Sequence, residues 1–293
     1  MKLSRNLILF MPSIDGGGVE KNLIIIANYL IKKISKLTII TYDARFNSMF
    51  DKKINIVNYK KKSKDEKKYY KYFICIILLV KEFLKERKLL VVSFQANIYV
   101  LILSIFLKFR IIIRSNSAPI GWSQNFTKRK IFKFFFQFAD EIIVNSNEFK
   151  KILDKEFKTN CKVIYNPLNK NEIIKLSKKK ISNFNFFKGV KIKIINIARF
   201  TDQKDHLTLL KALNNLKEKI NFNLLIIGYG TNKKKIKNFI IKNNINKNYY
   251  KNNLYLRDKI KLNKVVKKIY KDLDNKKDTF HILSKKFILN FNK

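Results

Sequence analysis

The sequence predicts an α/β protein of two doubly wound domains, the second of them incomplete. Three observations carry that expectation. Short β-like runs alternate with amphipathic stretches from Asn6 to Asn166, the pattern of βαβ units that build a parallel sheet. The series breaks at Asn166-Pro167, where a proline without an N–H biases its neighbour out of the helical region. It restarts near residue 170 and loses its turn residues after Gly230.

In the first domain, expected over residues 1–168, the strands read as Leu7–Met11, Leu37–Tyr42, Leu89–Ser93, Arg110–Arg114, Glu141–Val144 and Lys162–Tyr165. Between them, Val19–Ile31, Lys67–Lys85, Ile98–Leu107, Arg129–Phe138 and Asn147–Phe157 read as helices from apolar residues recurring at i, i+3 and i+4. The second domain, expected over 169–245, opens with a strand at Lys191–Ile197 and a helix at Gln203–Lys217, with Asp202 as its N-cap. A second strand at Phe222–Ile227 closes on Gly228-Tyr229-Gly230, and a helix follows at Lys233–Ile241. None of the 7 glycines lies beyond Gly230 and none of the 3 prolines beyond Pro167, so regular βα alternation is not expected in an atypical tail over 246–293.

The chain has 293 residues, 46% of them hydrophobic, which is enough for real cores and excludes wholesale disorder. Its formal charge of +43 would ordinarily point to nucleic acid or an anionic membrane. The excess is of Lys, Asn, Ile, Phe and Tyr together, as A/T-rich codons produce, so roughly half of the charge is set down to that bias and no nucleic-acid partner is expected. Cys75 and Cys161 sit in apolar surroundings without metal-ligand spacing, so neither a disulfide scaffold nor a zinc site is expected and a reducing cytosol fits. No signal peptide is visible, and the apolar run Ile98–Leu107 is well short of the ~20 residues of a spanning helix.

Two loops could carry chemistry. Asp15-Gly16-Gly17-Gly18-Val19-Glu20 joins a strand to a helix, where glycines allow close backbone approach and free helix N–H groups attract phosphate or sugar oxygens. A plain tight turn is the competing reading. Ile197-Ala198-Arg199-Phe200-Thr201-Asp202-Gln203-Lys204-Asp205-His206 lies at the carboxyl end of a strand, where open parallel sheets bind ligands and an Arg with a Lys can neutralise a diphosphate. Two solvated cations near a helix cap would look the same, and His206 reads as a packing residue.

These segments, in this order, resemble the retaining GT-B glycosyltransferases of family 4. Phe138-Ala139-Asp140-Glu141-Ile142-Ile143-Val144-Asn145-Ser146, Val163-Ile164-Tyr165-Asn166-Pro167-Leu168 and Leu225-Ile226-Ile227-Gly228-Tyr229-Gly230 strengthen the likeness, which covers roughly residues 5 to 240. The resemblance implies two Rossmann-like domains with a cleft between them, the second holding a nucleotide diphosphate sugar and the first a glycan or lipid-linked acceptor in cell-surface glycoconjugate assembly. It makes Arg199 and Lys204 the charge clamp on the donor diphosphate, and places Gly16, Gly17, Gly18, Gly228 and Gly230 beside the donor. Arg114, Ser115 and Asn116 become acceptor or sugar contacts. No metal or other cofactor is implied, since the cations take its place, and a cytoplasmic enzyme peripheral on the inner face of the membrane fits.

The chain departs from the family at one important point. The family's Glu-(seven residues)-Glu motif should follow Gly230, yet the last glutamate is Glu218 and the 63 residues from Thr231 hold 19 Lys or Arg against 4 Asp. A truncated or replaced donor lobe with little transferase activity is therefore expected. Asp272-Leu273-Asp274 imitates a metal motif by chance. The helix Lys128–Phe138 combines cations with aromatics and reads equally as an interfacial helix or a core helix. The rivals from other classes are a non-catalytic basic module binding membrane or RNA, and one half of a split transferase.

Overall fold

A computed structural model describes residues 3–14, 17–59, 66–116, 125–178, 192–216 and 218–243. The chain divides into two compact units, Met1–Leu168 and Asn169–Lys293, the division falling just after Asn166-Pro167. Each unit has its own core.

The first unit is a seven-stranded, all-parallel sheet in the order β3-β2-β1-β4-β5-β6-β7. Its strands are β1 (Leu3–Phe10), β2 (Ile34–Ile40), β3 (Asn55–Val57), β4 (Leu89–Ser93), β5 (Arg110–Ser115), β6 (Glu141–Val144) and β7 (Lys162–Val163). Its helices are α1 (Gly18–Leu30), α2 (Lys68–Lys85), α3 (Asn97–Leu107), α4 (Phe126–Phe136) and α5 (Asn147–Phe157). Leu7 to Phe10 are all buried because β1 is central and its residues alternate between two cores. Ile8 and Phe10 join the core under α2, α3, α4 and α5, whereas Leu7 and Leu9 join the core under α1. The chain order reverses direction between β1 and β4, and the loops after these two strands therefore sit at the switch point of the sheet.

Several boundaries differ from the sequence expectation, each for a local reason. Strand β3 has three residues at the sheet edge, too few to show a period. Helix α4 starts at Phe126 because the Asn125 side chain accepts from Lys128 N at 3.2 Å, and it ends at Phe136. Its aromatic stripe divides between two environments: Phe136 is buried in the core while Phe126, Phe134 and Phe138 are exposed. Both cysteines are buried free thiols whose pKa burial pushes up to about 12, so neither is a reactive thiolate at neutral pH.

The second unit opens with α6 (Lys170–Ser177), which Asn169 caps by accepting from Glu172 N at 3.2 Å. Parallel strands β8 (Ile192–Ile197) and β9 (Phe222–Ile227) pair in register from Ile192/Phe222 to Ile197/Ile227. Helices α7 (His206–Leu216) and α8 (Lys233–Lys242) cover them around Phe200, Leu210, Leu224, Ile226 and Ile236. The N-cap expectation is corrected here. Asp202 begins a one-turn 3-10 segment, Asp202–Lys204, and Asp205 caps α7 by accepting from Thr208 N at 3.3 Å. The tail from residue 246, with Asp272 and Asp274, lies outside the described residues.

Candidate functional site

Two clusters at the carboxyl ends of parallel strands hold the residues singled out above. In the second unit, the loop after β8 is stitched to the loop after β9 by backbone bonds. Ala198 N donates to Ile227 O at 3.0 Å, Phe200 N to Tyr229 O at 2.8 Å, and Asn232 N to Phe200 O at 3.0 Å. Side chains add to this, with Asn232 Nδ2 donating to Asp202 Oδ1 at 2.8 Å.

That stitching requires glycine on the β9 side. A Cβ at Gly228 would lie 2.8 Å from Phe200 Cε1 and 3.0 Å from the Ala198 carbonyl carbon, and nearer still to its oxygen. A Cβ at Gly230 would lie 2.8 Å from Phe200 C, and Gly230 has φ +149°, a conformation that side chains disfavour. Gly228 and Gly230 thus serve first to let two backbones touch and hold Arg199 between them. Arg199 and Lys204 are both exposed, and neither forms an ion pair among the described residues.

His206 is the opposite case. It is 3% exposed, meets the Phe200 ring edge to face with centroids 5.1 Å apart, and neither ring nitrogen finds a hydrogen-bond partner among the described residues. Burial lowers its pKa, with Asp205 opposing, so the neutral ring is the folded form near neutral pH. It packs beneath the loop that carries Lys204.

In the first unit, Gln95 locks the switch point. Ser13 N donates to Gln95 Oε1 at 3.0 Å and Gln95 Nε2 donates to Ser13 O at 3.0 Å, joining the loop after β1 to the loop after β4 across 82 residues of sequence. Ala96, with φ 59°, holds the turn into α3 in the left-handed region. Arg45 fastens the same loop from the other side: its Nη2 donates to Ile14 O at 3.4 Å while its Nε and Nη2 grip buried Asp43 at 2.8 and 3.0 Å.

Gly17 caps α1 without a side-chain bond, and the Glu20 carboxylate folds back to 2.6 Å from where a Gly17 Cβ would stand. Gly18 has open space around it. Gly16 lies outside the described residues. At the end of β5, Arg114 is 3% exposed and fully engaged. Its Nη2 donates to Asn166 Oδ1 at 2.9 Å and to Ile164 O at 3.3 Å, its Nε to Asn116 Oδ1 at 3.2 Å, and burial lowers its pKa. Asn116 Nδ2 donates in turn to Phe94 O at 3.2 Å. Ser115 is buried beside it. Arg114 therefore positions the strand ends, tying β5 to the chain leaving β7.

Comparison with known proteins converges on one fold. Residues 177–262 match the family model described as glycosyl transferases group 1, so the match runs beyond the described residues into the tail. Two uncharacterized glycosyltransferases of Methanocaldococcus jannaschii, MJ1059 and MJ1178, are 34% and 37% identical over 125 and 117 residues, which is 41% and 39% of this chain. The matched stretches span 30% and 29% of those relatives' own length. Among solved structures, Anabaena HepE in complex with UDP-glucose matches at TM-score 0.62 with 16% identity, over 83% of this chain and 67% of that one. Sucrose-phosphate synthase from Thermosynechococcus elongatus matches at 0.65 with 13% identity, over 84% and 69%.

The fold is that of the GT-B glycosyltransferases.

Within this GT-B chain, the sequence singled out Arg199, Lys204, Gly17, Gly18, Gly228 and Gly230; Arg199, Gly228 and Gly230 stand in the loops directly after β8 and β9, Lys204 at the end of the 3-10 turn that follows β8, and Gly17 and Gly18 at the start of α1. It missed Gln95, Asp43 and Arg45, which fix the loop after β1. A polar residue directly after an apolar strand, as in Ser93-Phe94-Gln95, was the available signal. Among the described residues no group of three His, Cys, Asp or Glu could hold a metal ion, and no helix is long and apolar enough to cross a membrane.

Proposed function

We propose that the chain is a glycosyltransferase that takes a sugar from a nucleotide diphosphate donor and passes it to a glycan or lipid-linked acceptor, working at the inner face of the cytoplasmic membrane. The observation that carries this reading is the loop after β8. Two exposed cations, Arg199 and Lys204, stand on a backbone clamped by Gly228 and Gly230, inside the segment that matches the group 1 model. The UDP complexes among the structural neighbours support a nucleotide sugar as donor.

Breaking the bond between the sugar and the diphosphate leaves negative charge on the phosphate. Arg199 and Lys204 would neutralise it, and because that charge grows toward the transition state their help is greater there than in the ground state. Clamping matters because a cation that must be drawn into place weakens its own contribution. In the first unit, Gln95 and Arg45 hold the loop ahead of Gly17, whose uncapped helix N–H groups suit sugar or phosphate oxygens. Asn116 is the side chain at the end of β5 with a surface left to offer an acceptor, since Arg114 is spent internally.

Incubating the purified chain with radiolabelled nucleotide sugars and glycan or lipid-linked acceptors tests this. Nucleotide binding that Arg199→Ala and Lys204→Ala weaken is expected, with no more than slow transfer from any donor because no glutamate follows Glu218. A chain that neither transfers sugar nor binds any nucleotide would refute the reading.

A further inference from the structure

The outer faces of α2 and α3 carry a feature that the proposed chemistry does not use. Between Tyr72 and Val80, α2 has nine successive residues without a charge, and α3 has none over its whole length from Asn97 to Leu107. One side of each helix is in the core, but the other remains open. Tyr69 is 72% exposed, Phe73 63%, Tyr99 46% and Phe106 77%. With Ile76 and Leu103 they line an apolar groove of about 280 Å³ between the two helices. A continuous apolar surface of this kind marks an interaction site.

The charges around the groove decide what it meets. Exposed Lys67 and Lys68 flank its α2 end, Lys81 follows the apolar stretch, and Lys108 closes α3. Lys68 Nζ lies 5.4 Å from the Tyr72 ring centroid. Asp65 and Glu66 precede this stretch, and from Lys67 to Lys108 the sequence adds only two carboxylates against the lysines named. Glu82 is paired with Lys85 at 2.6 Å and Glu86 with Lys36 at 3.3 Å. A second copy of the chain would set lysine against lysine. An anionic surface with an apolar interior suits both features, with aromatic rings at the acyl boundary and lysines among the headgroups.

We infer that the α2–α3 face is a docking surface for an anionic lipid bilayer, with Tyr69, Phe73, Tyr99 and Phe106 entering the interface. The inference deepens the membrane part of the function proposed above, and places the contact on α2 and α3, whose exposed rings line one groove, rather than on α4, whose aromatics divide between core and solvent. Both helices begin at the carboxyl edge of the sheet, the edge that carries Gln95 and Gly17, so a bilayer on this face brings lipid close to the residues assigned to the acceptor.

Sedimentation with vesicles reads this without any transfer reaction, so its failure and that of the transferase assignment are distinguishable. Wild-type protein should bind phosphatidylglycerol vesicles and largely ignore phosphatidylcholine vesicles, and 0.5 M salt should weaken binding. The double variant Phe73→Asp/Phe106→Asp should bind more than about tenfold more weakly, while Phe134→Asp on α4 should retain most of the affinity. Circular dichroism verifies folding, and the milder Phe106→Ser, at a position 77% exposed, serves if the double variant does not fold. Vesicle binding unchanged by the α2–α3 substitutions would overturn the inference. So would a wild-type protein that self-associates through this face, or retains RNA, without binding phosphatidylglycerol.

Discussion

Replacing Gly228 by alanine should destabilise the loop after β8, where Gly18→Ala in the first unit should not. The new Cβ would stand 2.8 Å from Phe200 Cε1 and 3.0 Å from the Ala198 carbonyl carbon, where about 3.4 Å or more is an ordinary contact. The ring can turn aside, but the Ala198 backbone can only retreat. Retreat stretches the bonds that stitch the two loops, from Ala198 N to Ile227 O and from Phe200 N to Tyr229 O. Two such bonds are together worth about 1–3 kcal/mol, and forced overpacking adds about 1–3 kcal/mol. A loss of about 2–6 kcal/mol in the second unit follows. Urea unfolding followed by circular dichroism measures it, with Gly18→Ala as control, because nothing lies within 4 Å of a Cβ there. Gly18→Ala should be neutral or slightly stabilising, since the methyl restricts the unfolded chain. A Gly228→Ala midpoint indistinguishable from wild type would refute the claim that the two backbones touch.

Three more outcomes are expected. Gln95→Ala removes both bonds to Ser13 and should cost the first unit about 1–3 kcal/mol, read as faster amide exchange around residues 11–14 and 93–97; unchanged exchange would contradict the lock. Because burial lowers the pKa of His206 below its ordinary 6.5, the unfolded chain takes up its proton first, so that stability is present above about pH 6.5 and declines as pH falls. His206→Phe should flatten that acid limb of a melting-temperature profile, and an identical limb would refute it. Arg114→Lys keeps the charge but loses the fork to Asn166 and Asn116, and should destabilise the first unit without altering nucleotide affinity; weaker nucleotide binding with unchanged stability would show that Arg114 touches ligand.

What was legible in the sequence follows physical range. Strand β1 was readable because Leu7 to Phe10 must be apolar on both faces, and α5 because Ser146 precedes its apolar period and accepts from Phe149 N. Strand β3 was not, since three edge residues carry no period. Helix α6 escaped because Pro167 and a lysine-rich stretch mask its start, although Asn169 and Glu172 form a cap. The Asp202 error arose from a single residue, Asp205, whose left-handed φ of 40° ends the 3-10 turn and starts α7 afresh. The clamp on Arg199 was half legible: the glycines were visible, but the backbone they meet, Ala198 and Phe200, is a tertiary neighbour. Gln95 offered only its place just beyond an apolar strand, because its partner Ser13 is 82 residues away.

The central claim is that the loop after β8 holds a nucleotide diphosphate through Arg199 and Lys204. Isothermal titration of the chain with UDP, in low salt, tests it most directly beside the double variant Arg199→Gln/Lys204→Gln, which keeps polar side chains and removes both charges. Binding by the wild type that the variant weakens by well over tenfold is predicted, with equal melting temperatures of the two proteins. Equal UDP affinity in both would contradict the account.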